Sequence, residues 1–142
     1  MTSCFPDVNV WVALHAERHE SHTAAQAWAD GLDEQQILVF CRQTQLGFFR
    51  LLTTPAVMGP DTVSQRRCWT IYEEWLGAGR AVLQPEPPGL EAAFRARTQS
   101  AEPAPKTWMD SYLAAFAQAA RLTLVTFDKA LAAKAQGALL LS

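Results

Sequence analysis

The sequence predicts an α/β domain, spanning residues 1–142 as a single unit, around a mostly parallel sheet. Short apolar runs alternate along the chain with segments whose apolar residues recur at helical spacing, which is the pattern of strand–helix–strand units. The chain has 142 residues, of which 49% are hydrophobic, and this is enough to build a hydrophobic core. The sequence shows no internal repeat and no low-complexity segment that would indicate another class of fold.

The N-terminal part of the chain is predicted to form one strand and two helices. Residues 3–6 lead into Asp7, where we expect the first strand to end and a helix to continue through about Ala16. Ser21 is a preferred residue type at a helix N-cap, and it predicts a second helix from His22 to Gly31.

The next segment is predicted to form a strand and two helices. Residues 36–41 are a short apolar run, typical of a buried strand. The helix over 43–52 is expected to stop before Pro55, because the residue before a proline avoids the helical region. Asp61 is a predicted N-cap for a longer helix that runs through about Leu76.

The remaining predicted elements alternate between strand and helix. Residues 80–83 form a third strand, and a proline-rich loop separates it from a helix over 90–97. At the C-terminal end, a brief helix over 129–136 precedes a last strand over 138–141.

Residues 106–130 are predicted to form a helix followed at once by a strand, with an aspartate at each end. The apolar stripe of the helix begins at Trp108 and continues at positions i+4, i+7, i+8 and i+11. The strand over 122–127 is short, apolar and rich in β-branched residues, as buried parallel strands are. Asp110 lies in the first turn of the helix and off its stripe, while Asp128 directly follows the strand.

Cysteine content and charge limit the classes of function. Cys4, Cys41 and Cys68 are odd in number and widely spaced, which predicts buried free thiols instead of a disulfide framework or a zinc site. The formal net charge of −2 gives no broad basic face, so a nucleic-acid substrate would need a bound cation or a small local patch. We find no membrane span and no secretion signal in the sequence, and we expect a cytoplasmic protein.

Three aspartates are expected at one edge of the sheet. Asp7 and Asp128 follow strands, and ligands of open α/β sheets bind outside the carboxyl ends of the strands. Each of Asp7, Asp110 and Asp128 has an alternative explanation as a helix cap. Three such caps at one edge would concentrate negative charge, which is costly without a cation. Mg²⁺ or Mn²⁺ prefers oxygen ligands, so the set favours metal-assisted phosphoryl chemistry.

The motifs around these aspartates resemble those of PIN-domain nucleases. The opening motif is Asp7-x-Asn9-x-x-Val12-x-Leu14, and the later ones are Trp108-x-Asp110-x-Tyr112-Leu113-Ala114-Ala115-x-Ala117 and Leu124-Val125-Thr126-Phe127-Asp128. Within that superfamily the chain is similar to the VapC-type toxins of bacterial toxin–antitoxin pairs. The similarity extends over nearly the whole chain.

The resemblance implies a three-layer α/β/α sandwich and a Mg²⁺- or Mn²⁺-dependent endoribonuclease that hydrolyses RNA. It assigns the catalytic and metal-binding positions to Asp7, Asp110 and Asp128, with Thr126 as a polar neighbour. It also implies inhibition by a small VapB-like antitoxin and assembly as a homodimer.

One position departs from the family pattern. The family usually carries a glutamate on the helix after the second strand, whereas residues 42–50 contain no acid, and the alignment puts Gly47 or Gln45 at that position. Thr44 and Gln45 are candidates to replace the acid, and Asn9 is a candidate ligand contact. The alternative function is therefore a PIN-like module that is catalytically weak or inactive and binds RNA or a protein partner.

Other α/β enzyme classes fit less well. Aspartate phosphotransfer domains require Asp-x-Asp after the first strand, whereas this chain has Asp7-Val8-Asn9. A dinucleotide-binding domain would require G-x-G-x-x-G after the first strand, and that motif is absent from the sequence.

Overall fold

The computed structural model describes residues 2–142 and places five parallel strands in one sheet. The strands are β1 (Cys4–Pro6), β2 (Leu38–Phe40), β3 (Ala81–Leu83), β4 (Thr123–Thr126) and β5 (Leu139–Leu140). Their spatial order is β3-β2-β1-β4-β5, and each neighbouring pair is parallel. Because β1 and β4 pair in register with Pro6 opposite Val125, the residues that follow these two strands emerge side by side.

Over residues 2–142, eight α-helices connect and cover the strands. They are α1 (Val8–His15), α2 (His22–Asp30), α3 (Arg42–Leu52), α4 (Pro55–Met58), α5 (Gln65–Gly77), α6 (Leu90–Arg97), α7 (Trp108–Ala120) and α8 (Lys129–Lys134). All five predicted strands and all seven predicted helices are found, with ends shifted by a few residues. The short helix α4 was not predicted.

The start of α5 corrects the predicted cap at Asp61. Asp61 ends a 3₁₀ turn, Gly59–Asp61, and the side chain of Ser64 caps α5 by accepting a hydrogen bond of 3.1 Å from the Arg67 N–H. Asp61 instead forms an exposed ion pair with Arg18. Either serine or aspartate can cap a helix, so the local sequence does not distinguish between them.

Alternate side chains of the strands enter two separate apolar clusters, one on each face of the sheet. Cys4, Leu38 and Phe40 belong to the cluster that α1, α2, α3 and α5 cover. Phe5 and Val39 belong to the cluster covered by α6, α7 and α8. This two-residue alternation is the property of a sheet buried on both faces, and it confirms the predicted three-layer α/β/α sandwich.

Trp11 lies at the centre of the larger cluster and is fully buried. Its indole stacks on the Phe40 ring, with centroids 3.7 Å apart, and meets Trp75 edge-on at 5.3 Å. The sequence pattern does not assign Trp11 to the core or to the surface. By contrast, Trp108, which was assigned to an apolar helix stripe, is 53% exposed.

The three cysteines are buried free thiols, as predicted. Burial raises the pKa of each thiol, so these residues pack as small apolar side chains. Among residues 2–142, no helix combines the length and the apolar character that crossing a bilayer requires.

Candidate acidic site at the carboxyl edge of the sheet

Asp7 directly follows β1 and is fixed by three hydrogen bonds. Its backbone N–H donates to the Val125 carbonyl at 2.8 Å, which continues the pairing of β1 with β4. One carboxylate oxygen accepts from the Val8 N–H at 2.7 Å, and the other accepts from the Thr126 hydroxyl at 3.0 Å. The carboxylate therefore has a defined orientation at the edge of the sheet, while it also serves as the N-cap of α1.

Thr126 connects two of the three predicted acids. Its fully buried hydroxyl donates to Asp7 and accepts a hydrogen bond of 3.0 Å from the Asp128 N–H. One Asp128 carboxylate oxygen caps α8 by accepting from the Ala130 and Leu131 N–H groups at 2.8 and 3.2 Å. The capping explanation thus holds for Asp128, but its second carboxylate oxygen takes no part in the cap.

Asp110 lies in the first turn of α7 and does not cap it. The alternative explanation as a helix cap would require a capping box between Thr107 and Asp110, and none is formed: the Thr107 hydroxyl donates to the Ala104 carbonyl at 2.9 Å. Among the hydrogen bonds of residues 2–142, none involves the Asp110 carboxylate. This half-buried acid therefore has no structural partner that would explain it.

The three carboxylates are close enough to interact through their charges. Burial raises the pKa of Asp7, the hydrogen bonds from Val8 and Thr126 oppose that rise, and the negative charges of Asp110 and Asp128 add to it. Burial and the charge of Asp128 likewise raise the pKa of Asp110. Both carboxyls are thus held in an environment that disfavours their negative charge.

The ammonium of Lys134 opposes the rise in the pKa of Asp110 that burial and the charge of Asp128 produce. Sequence analysis did not identify Lys134 as part of this environment. The residue lies in the last turn of α8, six positions after Asp128, and only the packing of α8 brings it near the site. No short motif would have identified it.

These residues fit a hydrated divalent cation. Within residues 2–142, no three His, Cys, Asp or Glu side chains converge tightly enough to enclose an ion by themselves. Mg²⁺ usually keeps several of its waters and takes one or two carboxylates directly. A cation among Asp7, Asp110 and Asp128 would compensate the charge repulsion at the site, and all of the available donor atoms are oxygens.

Thr44 and Gln45 are both buried and engaged in other contacts. Thr44 closes the capping box of α3 with Cys41, accepting from its N–H at 3.0 Å. The amide oxygen of Gln45 accepts from the Arg42 guanidinium at 2.6 Å. Neither side chain hydrogen-bonds to an acid in residues 2–142, so their role in place of the glutamate stays a prediction. Asn9 is exposed and its role as a ligand contact also stays a prediction.

Gly47 lies where α3 packs against the start of α1. A Cβ atom at this position would lie 2.7 Å from Cγ2 of Val8, the residue that follows Asp7. A glutamate at position 47 therefore would not fit without a shift of the Val8 side chain or of the start of α1. If Gly47 is the position of the family's glutamate, the glycine is what allows this close contact between α1 and α3.

The contact between Gly47 and Val8 predicts that Gly47→Ala changes stability in opposite directions in the wild-type and Val8→Ala backgrounds. Gly47→Ala alone is expected to destabilise the protein by about 1–2 kcal/mol. The reason is that displacing the stiff Val8 side chain costs more free energy than alanine gains over glycine in helix propensity. In a Val8→Ala background the same change is expected to stabilise by up to about 1 kcal/mol. Urea denaturation of the four proteins measures both effects, and equal effects in the two backgrounds would contradict the contact.

Comparisons with known proteins agree on one family. A family model described as the PIN domain matches residues 4–137. Ribonuclease VapC41 of Mycobacterium tuberculosis is 43% identical over 128 residues, covering 87% of this chain and 88% of its own length. Ribonuclease VapC44 of the same organism is 33% identical over 132 residues, covering 89% and 86%.

A solved structure supports the fold. The crystal structure of Mycobacterium tuberculosis VapC20, described as a sarcin–ricin loop cleaving toxin, aligns with a TM-score of 0.63 over 92% of this chain and 94% of its own. Its sequence identity is 15%, so this likeness bears on the fold alone.

Proposed function

The chain belongs to the PIN-domain family, in its VapC ribonuclease branch, and from this premise we propose that it is a Mg²⁺- or Mn²⁺-dependent endoribonuclease toxin. In this proposal it hydrolyses RNA phosphodiester bonds and a cognate antitoxin inhibits it. The observation that carries the proposal is the Thr126 hydroxyl, which joins Asp7 to Asp128 at the carboxyl edge of the sheet. Capping alone does not require such a connection between two helix caps.

The proposed roles of the residues follow from their contacts. Asp7, Asp110 and Asp128 would hold the cation, which when bound supplies a nucleophilic water and offsets charge on the phosphate. Thr126 and the Val8 N–H keep the Asp7 carboxylate in one orientation, so little reorganisation is needed during the reaction. Asp110 has no hydrogen-bond partner in the described chain and remains available to orient the attacking water.

The proposal also includes protein partners. A VapB-like antitoxin and a second copy of the chain both require apolar surface outside the acidic site. Leu46 and Val57 supply such surface, each about half exposed. The RNA substrate places the proposed activity in the cytoplasm.

A second candidate function is a PIN-like module that binds RNA or protein without cutting. The lack of an acid in residues 42–50 favours it, because the chain then has no counterpart of the usual glutamate and its extra carboxylate. The two candidates differ in whether the three aspartates bind a divalent cation.

Metal titration tests the proposed function. We expect RNA cleavage by the purified chain to stop when EDTA is added and to resume when Mg²⁺ or Mn²⁺ is restored. Calorimetry should show heat of binding for these ions, since the carboxylates repel one another without a cation. Sequencing of RNA 5′ ends after induced expression would then identify the cleaved bonds.

A protein that shows no heat with either ion and leaves RNA intact would be the non-cutting module. Cleavage that continues in EDTA would contradict the metal-dependent proposal.

A further inference from the structure

A second group of side chains lies at the same edge of the sheet as the aspartates. Glu86 follows β3, and one of its carboxylate oxygens accepts a hydrogen bond of 2.6 Å from the hydroxyl of Tyr112 on α7. Strand β3 is two positions from β1 in the sheet. Because all the strands are parallel, the carboxyl end of β3 points to the edge where Asp7 lies. Tyr112 is two residues after Asp110, so a single helix contributes to both groups.

A cavity of about 320 Å³ opens beside this hydrogen bond. Its lining includes Glu86, Leu90, Phe94 and Tyr112. The Phe94 ring meets Tyr112 edge-on at 5.7 Å and also meets Trp108 at 6.0 Å. Trp108 is 53% exposed and is the first residue of α7, two residues before Asp110. An exposed indole and the Asp110 carboxylate therefore lie in the same first turn of this helix.

The chemistry of this pocket matches a nucleobase more closely than a phosphate. Glu86 and Glu91 both line it; Arg95 pairs with Glu91 at 2.8 Å, and the negative charge of Glu86 would repel a phosphate group. An exposed indole offers a face on which an unpaired base can stack, and such stacking is the usual way proteins hold single-stranded RNA. A carboxylate has about four lone-pair sites, and Tyr112 occupies one of them, so Glu86 retains acceptor capacity for N–H donors.

We propose that the pocket lined by Glu86, Phe94 and Tyr112, together with the exposed Trp108 indole that contacts Phe94, binds one unpaired base of the RNA substrate next to the acidic site. The Trp108 indole stacks on the base, and the Glu86 carboxylate accepts hydrogen bonds from its Watson–Crick edge. Guanine fits best, because its N1–H and N2–H donors lie side by side and match a carboxylate. This inference rests on the proposed ribonuclease function and adds the residues that select the cut site.

Trp108 and Trp69 form a matched pair for the test. Both tryptophans are about half exposed, but Trp69 lies on α5 and packs on Phe49 and Tyr72 on the other face of the sheet. With an unstructured RNA and the full chain in Mg²⁺, Trp108→Ala is expected to raise KM about tenfold with kcat unchanged, the effect of losing one base–aromatic stack. Trp108→Phe should give a smaller rise, and Trp69→Ala should leave KM unchanged.

A pool of randomised RNA tests the role of Glu86. Sequencing the cleavage products of the wild-type chain should show a preference for guanine at one position near the cut bond. Glu86→Gln should weaken that preference and leave the other positions as they were, because the amide presents only one acceptor oxygen in place of two.

Several outcomes would overturn the inference. Equal KM values for Trp108→Ala and Trp69→Ala, or unchanged base preferences in Glu86→Gln, would overturn it while the ribonuclease function stands. A change in molar mass by light scattering in Trp108→Ala would instead place Trp108 in a contact between subunits. A wild-type chain that leaves RNA uncut would overturn both this inference and the proposed function.

Discussion

Replacing Asp7 by asparagine is expected to lower metal-dependent RNA cleavage by more than about a hundredfold, beyond the usual effect of changing an outer-shell residue at a metal site. The substitution keeps the size of the side chain and removes its charge. Asparagine can still accept from the Val8 N–H, and its amide nitrogen can donate to the Thr126 hydroxyl oxygen, so the start of α1 should keep its geometry. The loss would therefore report the role of the charge, and it is measured as kcat/KM on a defined RNA.

The same variant should be more stable than the wild-type protein when no metal is present. The folded-state pKa of Asp7 is raised by burial and by the charges of Asp110 and Asp128. A carboxyl group whose folded-state pKa is raised stabilises the fold fully only below its unfolded-state pKa. That contribution is lost as the pH rises through the folded-state pKa. At neutral pH the charged Asp7 thus opposes folding, and Asp7→Asn should raise the Tm in EDTA.

Asp61→Asn provides the matched control. Asp61 is exposed, pairs with Arg18, and lies beside His15 at the far end of α1 from Asp7. We expect its activity and its Tm to stay close to those of the wild-type protein. Full activity in Asp7→Asn would remove Asp7 from the site, and a lower Tm in EDTA would contradict the electrostatic account.

Replacing Trp11 by alanine is expected to destabilise the protein by about 3–5 kcal/mol. The indole is fully buried and packs against three rings, those of Phe40, Phe48 and Trp75. A cavity left at this point would remove contacts from β2, α3 and α5 together. Because total stabilities are about 5–15 kcal/mol, this loss would be large, and chemical denaturation would measure it.

Trp11→Phe separates packing from hydrogen bonding. The Trp11 Nε1 atom is buried and has no hydrogen-bond partner within residues 2–142. Phenylalanine removes this unpaired donor and keeps most of the ring contacts, so we expect it to cost clearly less than alanine. Trp69→Ala is the half-exposed control and should cost clearly less than Trp11→Ala, about 1–2 kcal/mol, for the loss of its edge-on contacts with Phe49 and Tyr72. A similar cost for Trp11→Ala and Trp69→Ala would contradict the central position of Trp11.

The part of the site that depends on the order of elements along the chain could be predicted from the sequence. Asp7 and Asp128 each follow a strand, and parallel strands bring their carboxyl ends to one edge, so their proximity followed from the pattern of elements. The Thr126 hydroxyl between them depends on the register of β1 against β4, which pairs Pro6 with Val125. Register is set by the packing of both strands into the core, and the sequence of either strand alone does not contain it.

The helix–strand segment over residues 106–130 illustrates the same division. Its helix, its strand and its two aspartates could be identified from periodicity and residue type. The sequence did not show that Asp110 lacks a cap interaction, or that Trp108 is exposed while Trp11 is buried. Both tryptophans are apolar, and which one is covered depends on the elements that pack over it.

By itself, the sequence determined the order of strands and helices, the parallel sheet and the three acids, because each is encoded in residues a few positions apart. Only the tertiary structure decided the Thr126 connection, the Gly47–Val8 contact and the pocket lined by Glu86 and Tyr112. These features join segments that are far apart in the chain. Their existence depends on how the layers pack, and no local pattern of residues records that packing.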